Sequence, residues 1–128
     1  MNSKQLALHI LDACEEKKGI DPIIIDIRKL TDIADYFVLV HGTSDRHVRT
    51  IADGVVDFLS PQLKPFHQEG MREAKWVLLD YGAVMVHVFY YETRGFYNLE
   101  RLWGDGVIVK RKEKNAKPVK RTRRSNPS

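Results

Sequence analysis

The spacing of apolar residues changes several times along the first sixty positions. In residues 3–18 they recur every three or four positions, which predicts an amphipathic helix. Residues 23–27 and 36–40 are short continuous apolar runs, rich in β-branched and aromatic side chains, and they predict two buried strands. These strands are close enough in sequence to be neighbours, and their relative direction stays open. Residues 48–59 return to helical spacing, so this half predicts helix, strand, strand, helix.

The second half is richer in strands. Residues 63–66 predict a short edge strand, and residues 76–80 and 84–90 predict a hairpin. A last helix is predicted over residues 92–103. Continuous apolar strands need cover on both faces. The pattern therefore predicts an α/β domain, with α+β as the alternative, built on a mixed β-sheet of four to five strands flanked by helices.

Length and charge predict that the chain consists of one folded domain and one basic tail. A length of 128 residues suits a single domain. Residues 110–128 hold nine basic side chains and one acidic side chain, a charge of +8. Taking these from the totals of 21 and 17 leaves 12 basic and 16 acidic groups in residues 1–109, a charge of −4. We therefore expect a folded domain over residues 1–105 and a basic, disordered tail over residues 106–128.

Several kinds of site and location are disfavoured. No apolar run approaches the ~20 residues that span a bilayer, and the first residues do not resemble a signal peptide, so we expect a cytoplasmic protein without a membrane partner. The five histidines are scattered, and the single cysteine, Cys14, fits a small buried side chain at helical spacing. His87 shares a strand face with Met85 and Phe89 and fits a satisfied, half-buried histidine. We expect no metal and no cofactor.

Gly42-Thr43-Ser44 lies where a predicted strand meets a predicted helix. Free backbone N–H groups at such a junction can bind an anion. The sequence has neither the Gly-Lys-Ser/Thr ending of a P-loop nor a Gly-x-Gly-x-x-Gly motif. A helix N-cap formed by Thr43 or Ser44 is therefore the favoured interpretation.

Three carboxylates, Asp26, Asp35 and Asp80, sit in or beside predicted strands. Metal-dependent phosphoryl transfer gathers two or three carboxylates around an ion. No pair occurs at a spacing of two on one strand, so the sequence favours strand ends, turns or pairing with arginine. Asp80 before Tyr81-Gly82 is well suited to a turn.

Aromatic residues are concentrated in the last third of the domain, more than one small core can easily bury with every polar atom satisfied. They are Trp76, Tyr81, Tyr90, Tyr91, Tyr97 and Trp103. With Arg94 and Arg101 nearby, this composition is typical of a protein interface. The alternative is that the two tryptophans are half-buried core residues.

These segments also carry a family resemblance, spread in order over residues 4–103. The motifs are DYFV at 35–38, GTSDRHV at 42–48, IAD at 51–53, EG at 69–70, WVLLDYG at 76–82, VHVF at 86–89 and FYNLERLW at 96–103. As an ordered set they resemble the ribosomal silencing factor family, RsfS or Iojap. The resemblance implies a nucleotidyltransferase-like fold without enzymatic activity. It also implies docking on the large ribosomal subunit through its fourteenth protein, which sterically blocks joining of the small subunit and lowers translation when nutrients are scarce.

The resemblance also implies which residues face the ribosome. Carried over to this sequence they are Trp76, Asp80, Tyr81, Arg94, Tyr97, Leu99 and Trp103. Ala83 departs from the family pattern, in which an acidic residue often follows the glycine. We expect a monomer or a weak homodimer.

The tail adds candidates for contact with ribosomal RNA through phosphate. These candidates are Lys110, Arg111, Lys112, Arg121, Arg123 and Arg124. Two alternatives stay open at this point: a metal-dependent nucleotidyltransferase-like enzyme and a general RNA-binding module.

Overall fold

The computed structural model describes residues 1–91 and 106–109, and the helix predicted over residues 92–103 lies outside them. The described residues form two helices and six strands. They are α1 (Ser3–Glu16), β1 (Ile20–Asp26), β2 (Tyr36–Gly42), α2 (Asp45–Leu59), β3 (His67–Glu69), β4 (Trp76–Asp80), β5 (Val84–Tyr90) and β6 (Val107–Val109). No helix in these ranges is long and apolar enough to cross a membrane.

The six strands form one mixed sheet in the order β3-β4-β5-β2-β1-β6. β2 and β5 run parallel, and the other neighbouring pairs are antiparallel. The predicted hairpin is confirmed as β4 and β5, with Trp76 opposite Phe89 and Asp80 opposite Met85. β1 and β2, whose relative direction the sequence left open, are antiparallel neighbours.

The sheet has more strands than the four to five predicted, and its edges differ from the prediction. The edge strand predicted at residues 63–66 is β3 instead, because Leu63 N–H still donates to Leu59 O at the end of α2. β6 lies within the predicted tail and pairs with β1, so the sheet extends to Val109. Its three residues are too few to show a period in the sequence.

Both helices pack against the same face of the sheet, which we call the first face. α1 begins with a capping box between Asn2 and Gln5, and α2 begins with Ser44 as its N-cap. Their apolar stripes and alternate strand residues form one buried cluster, which includes Ile10, Val38, Ile51, Val55, Leu79 and Val86. Burial of this apolar surface is the main source of stability.

The opposite face, the second face, carries a smaller buried cluster. Ile25, Phe37, Leu39 and Phe89 lie in it, together with Ile27 and Ala34 from the connection between β1 and β2. Half-buried Ile23, Trp76 and Met85 pack against this cluster. Strand residues alternate between the faces, so β4 contributes its even-numbered residues to the second face.

Candidate partner-binding surface

β4 presents a short row of unlike side chains on the second face, which we call the outer strip. It consists of Trp76, Leu78 and Asp80, all half-buried. Successive members lie two residues apart on a strand, so the strip is about 13 Å long. It places an aromatic, an aliphatic and an acidic group in one line. The predicted partner-binding residues Trp76 and Asp80 are therefore brought to one surface.

Trp76 is held from inside the protein. Its indole Nε1–H donates to Nδ1 of His87 at 3.0 Å. Its ring centroid lies 5.4 Å from that of Phe89 and 5.8 Å from that of His87. These contacts fix the orientation of the indole at the edge of the buried cluster.

His87 is 5% exposed, so it is more deeply buried than the sequence suggested. Burial lowers the pKa of His87 from 6.5 to about 4, so the ring is neutral near pH 7. Nδ1 accepts the hydrogen bond from Trp76, whereas Nε2 is buried and has no hydrogen-bond partner among the described residues. The prediction of a satisfied, half-buried histidine was therefore wrong on both points.

The turn between β4 and β5 follows the sequence prediction. Asp80 Oδ1 accepts a hydrogen bond from the Gly82 N–H at 2.8 Å. Gly82 has φ of +85°, a conformation that glycine adopts readily. A Cβ at Gly82 would also lie 3.1 Å from the ring of Phe66, which is 77% exposed. The turn therefore holds Asp80 at the end of the outer strip and places an exposed aromatic ring beside it.

Tyr81 occupies a different environment from its neighbours on the outer strip. It is 4% exposed and belongs to the cluster on the first face. Its hydroxyl has no hydrogen-bond partner in the part of the chain that the structure describes, and burial raises the pKa of Tyr81 to about 12. In this structure Tyr81 packs inside the domain beside Asp80 rather than on the surface.

Strand β3 extends the outer strip toward the edge of the sheet. His67 lies opposite Asp80 and Glu69 lies opposite Leu78, and both side chains are exposed. Their side chains form an ion pair when His67 is protonated. Sequence reasoning did not select Leu78, His67 or Glu69, although two-residue alternation along β4 already placed Leu78 between Trp76 and Asp80.

The Gly42-Thr43-Ser44 segment forms a helix cap, as favoured. The Ser44 hydroxyl accepts from His47 N–H at 3.0 Å, and the N–H of Thr43 donates to His47 Nδ1. A cavity of about 230 Å³ beside this junction includes Asp45 and Glu73 in its lining. Its lining also includes Lys75, but the two acidic side chains outnumber this one cation and disfavour binding of an anion.

Of the three strand carboxylates, Asp26 and Asp80 lie far apart, whereas Asp35 lies beside the end of β1, where its carbonyl oxygen accepts from the Ile27 N–H. Asp26 forms a two-point ion pair with Arg28, with Nε to Oδ1 at 2.9 Å, and hydrogen bonding to Arg28 holds the pKa of Asp26 below its usual value. Asp80 lies three strands away, roughly 14 Å across the sheet. Within residues 1–91 and 106–109 no three His, Cys, Asp or Glu side chains are placed to hold a metal.

Cys14 is fully buried in the first face, which confirms the prediction from sequence. Burial raises the pKa of its thiol to about 12. The thiolate, which is the nucleophilic form, is therefore scarce at neutral pH.

Some of the other predicted residues lie within the part of the chain that the structure describes, and others lie outside it. Among the aromatic residues, Tyr90 is half-buried and Tyr91 is 50% exposed. Arg94, Tyr97, Leu99 and Trp103 lie outside the described residues, as do all the candidates for RNA contact from Lys110 to Arg124.

Comparisons of this sequence with known proteins agree on one family. A family model described as "Ribosomal silencing factor during starvation" matches residues 1–128. A ribosomal silencing factor of Bacillus subtilis is 41% identical over 110 residues, which cover 85% of this chain and 93% of that protein. The chloroplastic Iojap protein of Zea mays is 27% identical, over 80% of this chain and 45% of that protein.

Solved structures show the same architecture. A crystal structure of a Chromobacterium violaceum protein is 33% identical and has a TM-score of 0.78, covering 81% of this chain and 88% of that chain. A crystal structure of a Bacillus halodurans protein is 31% identical and has a TM-score of 0.74, covering 84% of this chain and 98% of that chain.

Proposed function

The chain belongs to the ribosomal silencing factor family, and from this membership we propose that it binds the large ribosomal subunit and sterically blocks joining of the small subunit. Binding is through the fourteenth protein of the large subunit, and the result is lower translation when nutrients are scarce. The proposal places the protein in the cytoplasm, where it meets ribosomes. The match of the family to residues 1–128 is the observation that carries the proposal.

The outer strip is the surface we assign to this contact. Half-buried aromatic residues surrounded by apolar neighbours supply much of the affinity of protein interfaces. Trp76 has these properties, and Leu78 continues the apolar surface beside it. A ring that is already fixed loses little side-chain entropy when a partner covers it. We therefore propose Trp76 as the anchor of the contact.

Acidic groups in and beside the outer strip define the partner's chemistry. Asp80 lies there, Glu69 is on the adjacent strand, and residues 1–109 carry a net charge of −4. Complementary charge speeds association and selects the orientation of binding. We propose that the partner surface has basic side chains opposite Asp80 and an apolar patch opposite Trp76.

Tyr81 acts indirectly in this proposal. Its ring packs in the first face while its neighbours Asp80 and Gly82 form the turn. We propose that Tyr81 anchors the turn, so that its loss disturbs Asp80. Arg94, Tyr97, Leu99 and Trp103 stay in the proposed contact on the strength of the family resemblance.

Blocking by steric exclusion requires neither a nucleotide nor a metal, and we propose that the protein is not an enzyme. A nucleotidyltransferase would gather carboxylates around a metal ion, whereas Asp26 is paired with Arg28 and Asp80 serves the turn. A thermal-shift titration with magnesium and nucleoside triphosphates checks this. We expect no change in melting temperature, and a saturable rise would favour the enzyme.

The test of the main proposal uses purified ribosomal subunits. The protein should sediment with large subunits and reduce the yield of joined ribosomes when small subunits are added, without nucleotide. A pull-down with the isolated fourteenth protein should retain the factor. Sedimentation with small subunits alone, or undiminished joining at saturating protein, would contradict the proposal. Equal binding to unrelated structured RNA would favour a general RNA-binding module instead.

The tail supplies a separate, nonspecific part of the affinity in our proposal. Residues 110–128 carry a charge of +8, and contact with RNA phosphate releases counterions. A chain ending at Val109 should still bind large subunits and block joining, but more weakly at low salt and with a shallower dependence on salt concentration. Equal salt slopes would remove the tail from the proposal, and complete loss of binding would place specificity in it.

A further inference from the structure

The contact between Trp76 and His87 fixes the protonation of the buried imidazole. The indole nitrogen is a donor only, so the hydrogen bond of 3.0 Å requires that His87 Nδ1 carry no proton. The proton of the neutral ring is then on Nε2. That N–H is buried and finds no acceptor in residues 1–91 and 106–109.

An imidazole at this position makes the fold less stable than an apolar side chain would. A buried donor without an acceptor is destabilising, and an apolar side chain of similar size would avoid the loss. Its neighbours on the same face of β5, Met85 and Phe89, are apolar. Within the described residues, the one hydrogen bond of this ring is that from Trp76. The benefit of His87 therefore lies in what its Nδ1 does for Trp76.

The imidazole is also a rigid acceptor. Phe37 contacts it edge-on with centroids 4.5 Å apart, and the ring of Phe89 lies nearly parallel to it at 6.1 Å. Burial lowers the pKa of His87 to about 4, so Nδ1 is free to accept throughout the neutral range. A rigid acceptor holds its donor in one orientation.

We propose that His87 is a positioning residue for partner binding, which fixes the indole of Trp76 so that the partner meets its ring carbons and not its N–H. This inference rests on the proposed function. It specifies the partner's chemistry, because the group that covers Trp76 is then apolar or cationic and not a hydrogen-bond acceptor.

The hydrogen bond can be detected without the ribosome. In uniformly ¹⁵N-labelled wild-type protein, we expect a scalar coupling across the bond between Trp76 Nε1 and His87 Nδ1. Trp76→Phe assigns the indole signal against that of Trp103. Absence of the coupling in the folded protein would overturn the inference, whatever the ribosome assay shows.

A matched pair of variants separates positioning from packing. In His87→Asn the side-chain oxygen occupies nearly the place of Nδ1, whereas His87→Leu has the same branching without an acceptor. We expect His87→Leu to weaken large-subunit binding about fivefold, the scale of one neutral hydrogen bond, and His87→Asn to restore most of the loss. Equal affinities for both variants and the wild type would overturn the positioning role.

Trp76→Phe completes a double-mutant cycle, and the scalar coupling in the wild type keeps the inference testable if His87→Leu does not fold. Trp76→Phe removes the same hydrogen bond as His87→Leu. In a His87→Asn background Trp76→Phe should therefore lower the affinity for large subunits as much as it does in the wild type. In a His87→Leu background the two losses of affinity should not add, because the hydrogen bond is already absent. If Trp76 instead donates to the partner, His87→Leu will leave affinity unchanged or raise it. If the wild type does not bind large subunits, the proposed function and this inference both fail, although the coupling will still be present.

Discussion

The two faces of the sheet use the same strands for different purposes. On the first face, β4 contributes Val77 and Leu79, which pack beneath the two helices and are fully buried. On the second face the same strand contributes the outer strip, with a tryptophan and an aspartate at its ends. The first face is apolar apart from a few polar atoms such as the buried hydroxyl of Tyr81, whereas the second face combines aromatic, aliphatic and charged groups. The difference indicates that stability and recognition are divided between the faces.

The division continues in β5. Val86 and Val88 face the helices, whereas Met85, His87 and Phe89 face the other way. A buried histidine with one unpaired nitrogen is acceptable on the second face because it holds Trp76. On this account, changes on the first face away from Tyr81 should alter stability alone, and changes on the second face should alter binding.

The largest expected effect is on the first face. Ile51 is fully buried in α2, and Ile51→Ala should lower the free energy of unfolding by about 4 kcal/mol, because it removes buried methylene groups and leaves a cavity. Urea denaturation measures the loss. Phe58→Ala, at a 45% exposed position of the same helix, should change stability by about 0.5 kcal/mol or less.

The same variant also tests whether the two faces are separable. Under conditions in which Ile51→Ala is fully folded, its affinity for large subunits should equal that of the wild type. A folded Ile51→Ala protein with much weaker binding would show that the first face contributes to recognition.

The next effect in size is the dependence of stability on pH. His87 has a pKa of about 4 when folded and 6.5 in its ordinary state, so between these values the unfolded chain binds a proton that the folded chain does not. The free energy of unfolding should therefore fall as the pH falls from 6.5 to 4, by about 3 kcal/mol in total. Denaturant titrations at several pH values measure this slope.

His87→Asn is the control for this titration, since it cannot bind a proton at this position. As the pH falls from 6.5 to 4, the unfolding free energy of the wild type should fall relative to that of His87→Asn. Outside this window the difference between the two proteins should stay constant. Asp26→Asn affects a different range, because the lowered pKa of Asp26 makes its contribution disappear only at more acidic pH. Parallel pH profiles for wild type and His87→Asn would contradict the assigned environment of His87.

The sequence predicts the first face well because its residues obey simple periods. The stripe in α2, the cap at Ser44 and the hairpin of β4 and β5 all follow from spacing and local chemistry. The short strands β3 and β6 were misplaced or missed, because strands of three residues have no readable pattern and depend on pairing with β4 and β1.

The second face is less predictable because its features join residues that are distant in sequence. Trp76 and His87 are eleven positions apart, and only the register of β4 against β5 brings the indole to the imidazole. Tyr81 shows that residues adjacent in sequence can lie on different faces. It follows Asp80 directly, but its side chain lies in the buried cluster of the first face. Aromatic composition indicates an interface, but it does not say which rings are exposed.

The most direct test of the account compares an aromatic truncation in the outer strip with one on the exposed surface of α2. Trp76→Ala and Phe58→Ala are both measured for equilibrium binding to purified large subunits, with folding checked by circular dichroism. Trp76→Ala should weaken binding by about 2 kcal/mol, or roughly thirtyfold, while Phe58→Ala should bind as the wild type does. Wild-type affinity in a folded Trp76→Ala protein, or an equal loss in both variants, would contradict the assignment of recognition to the second face.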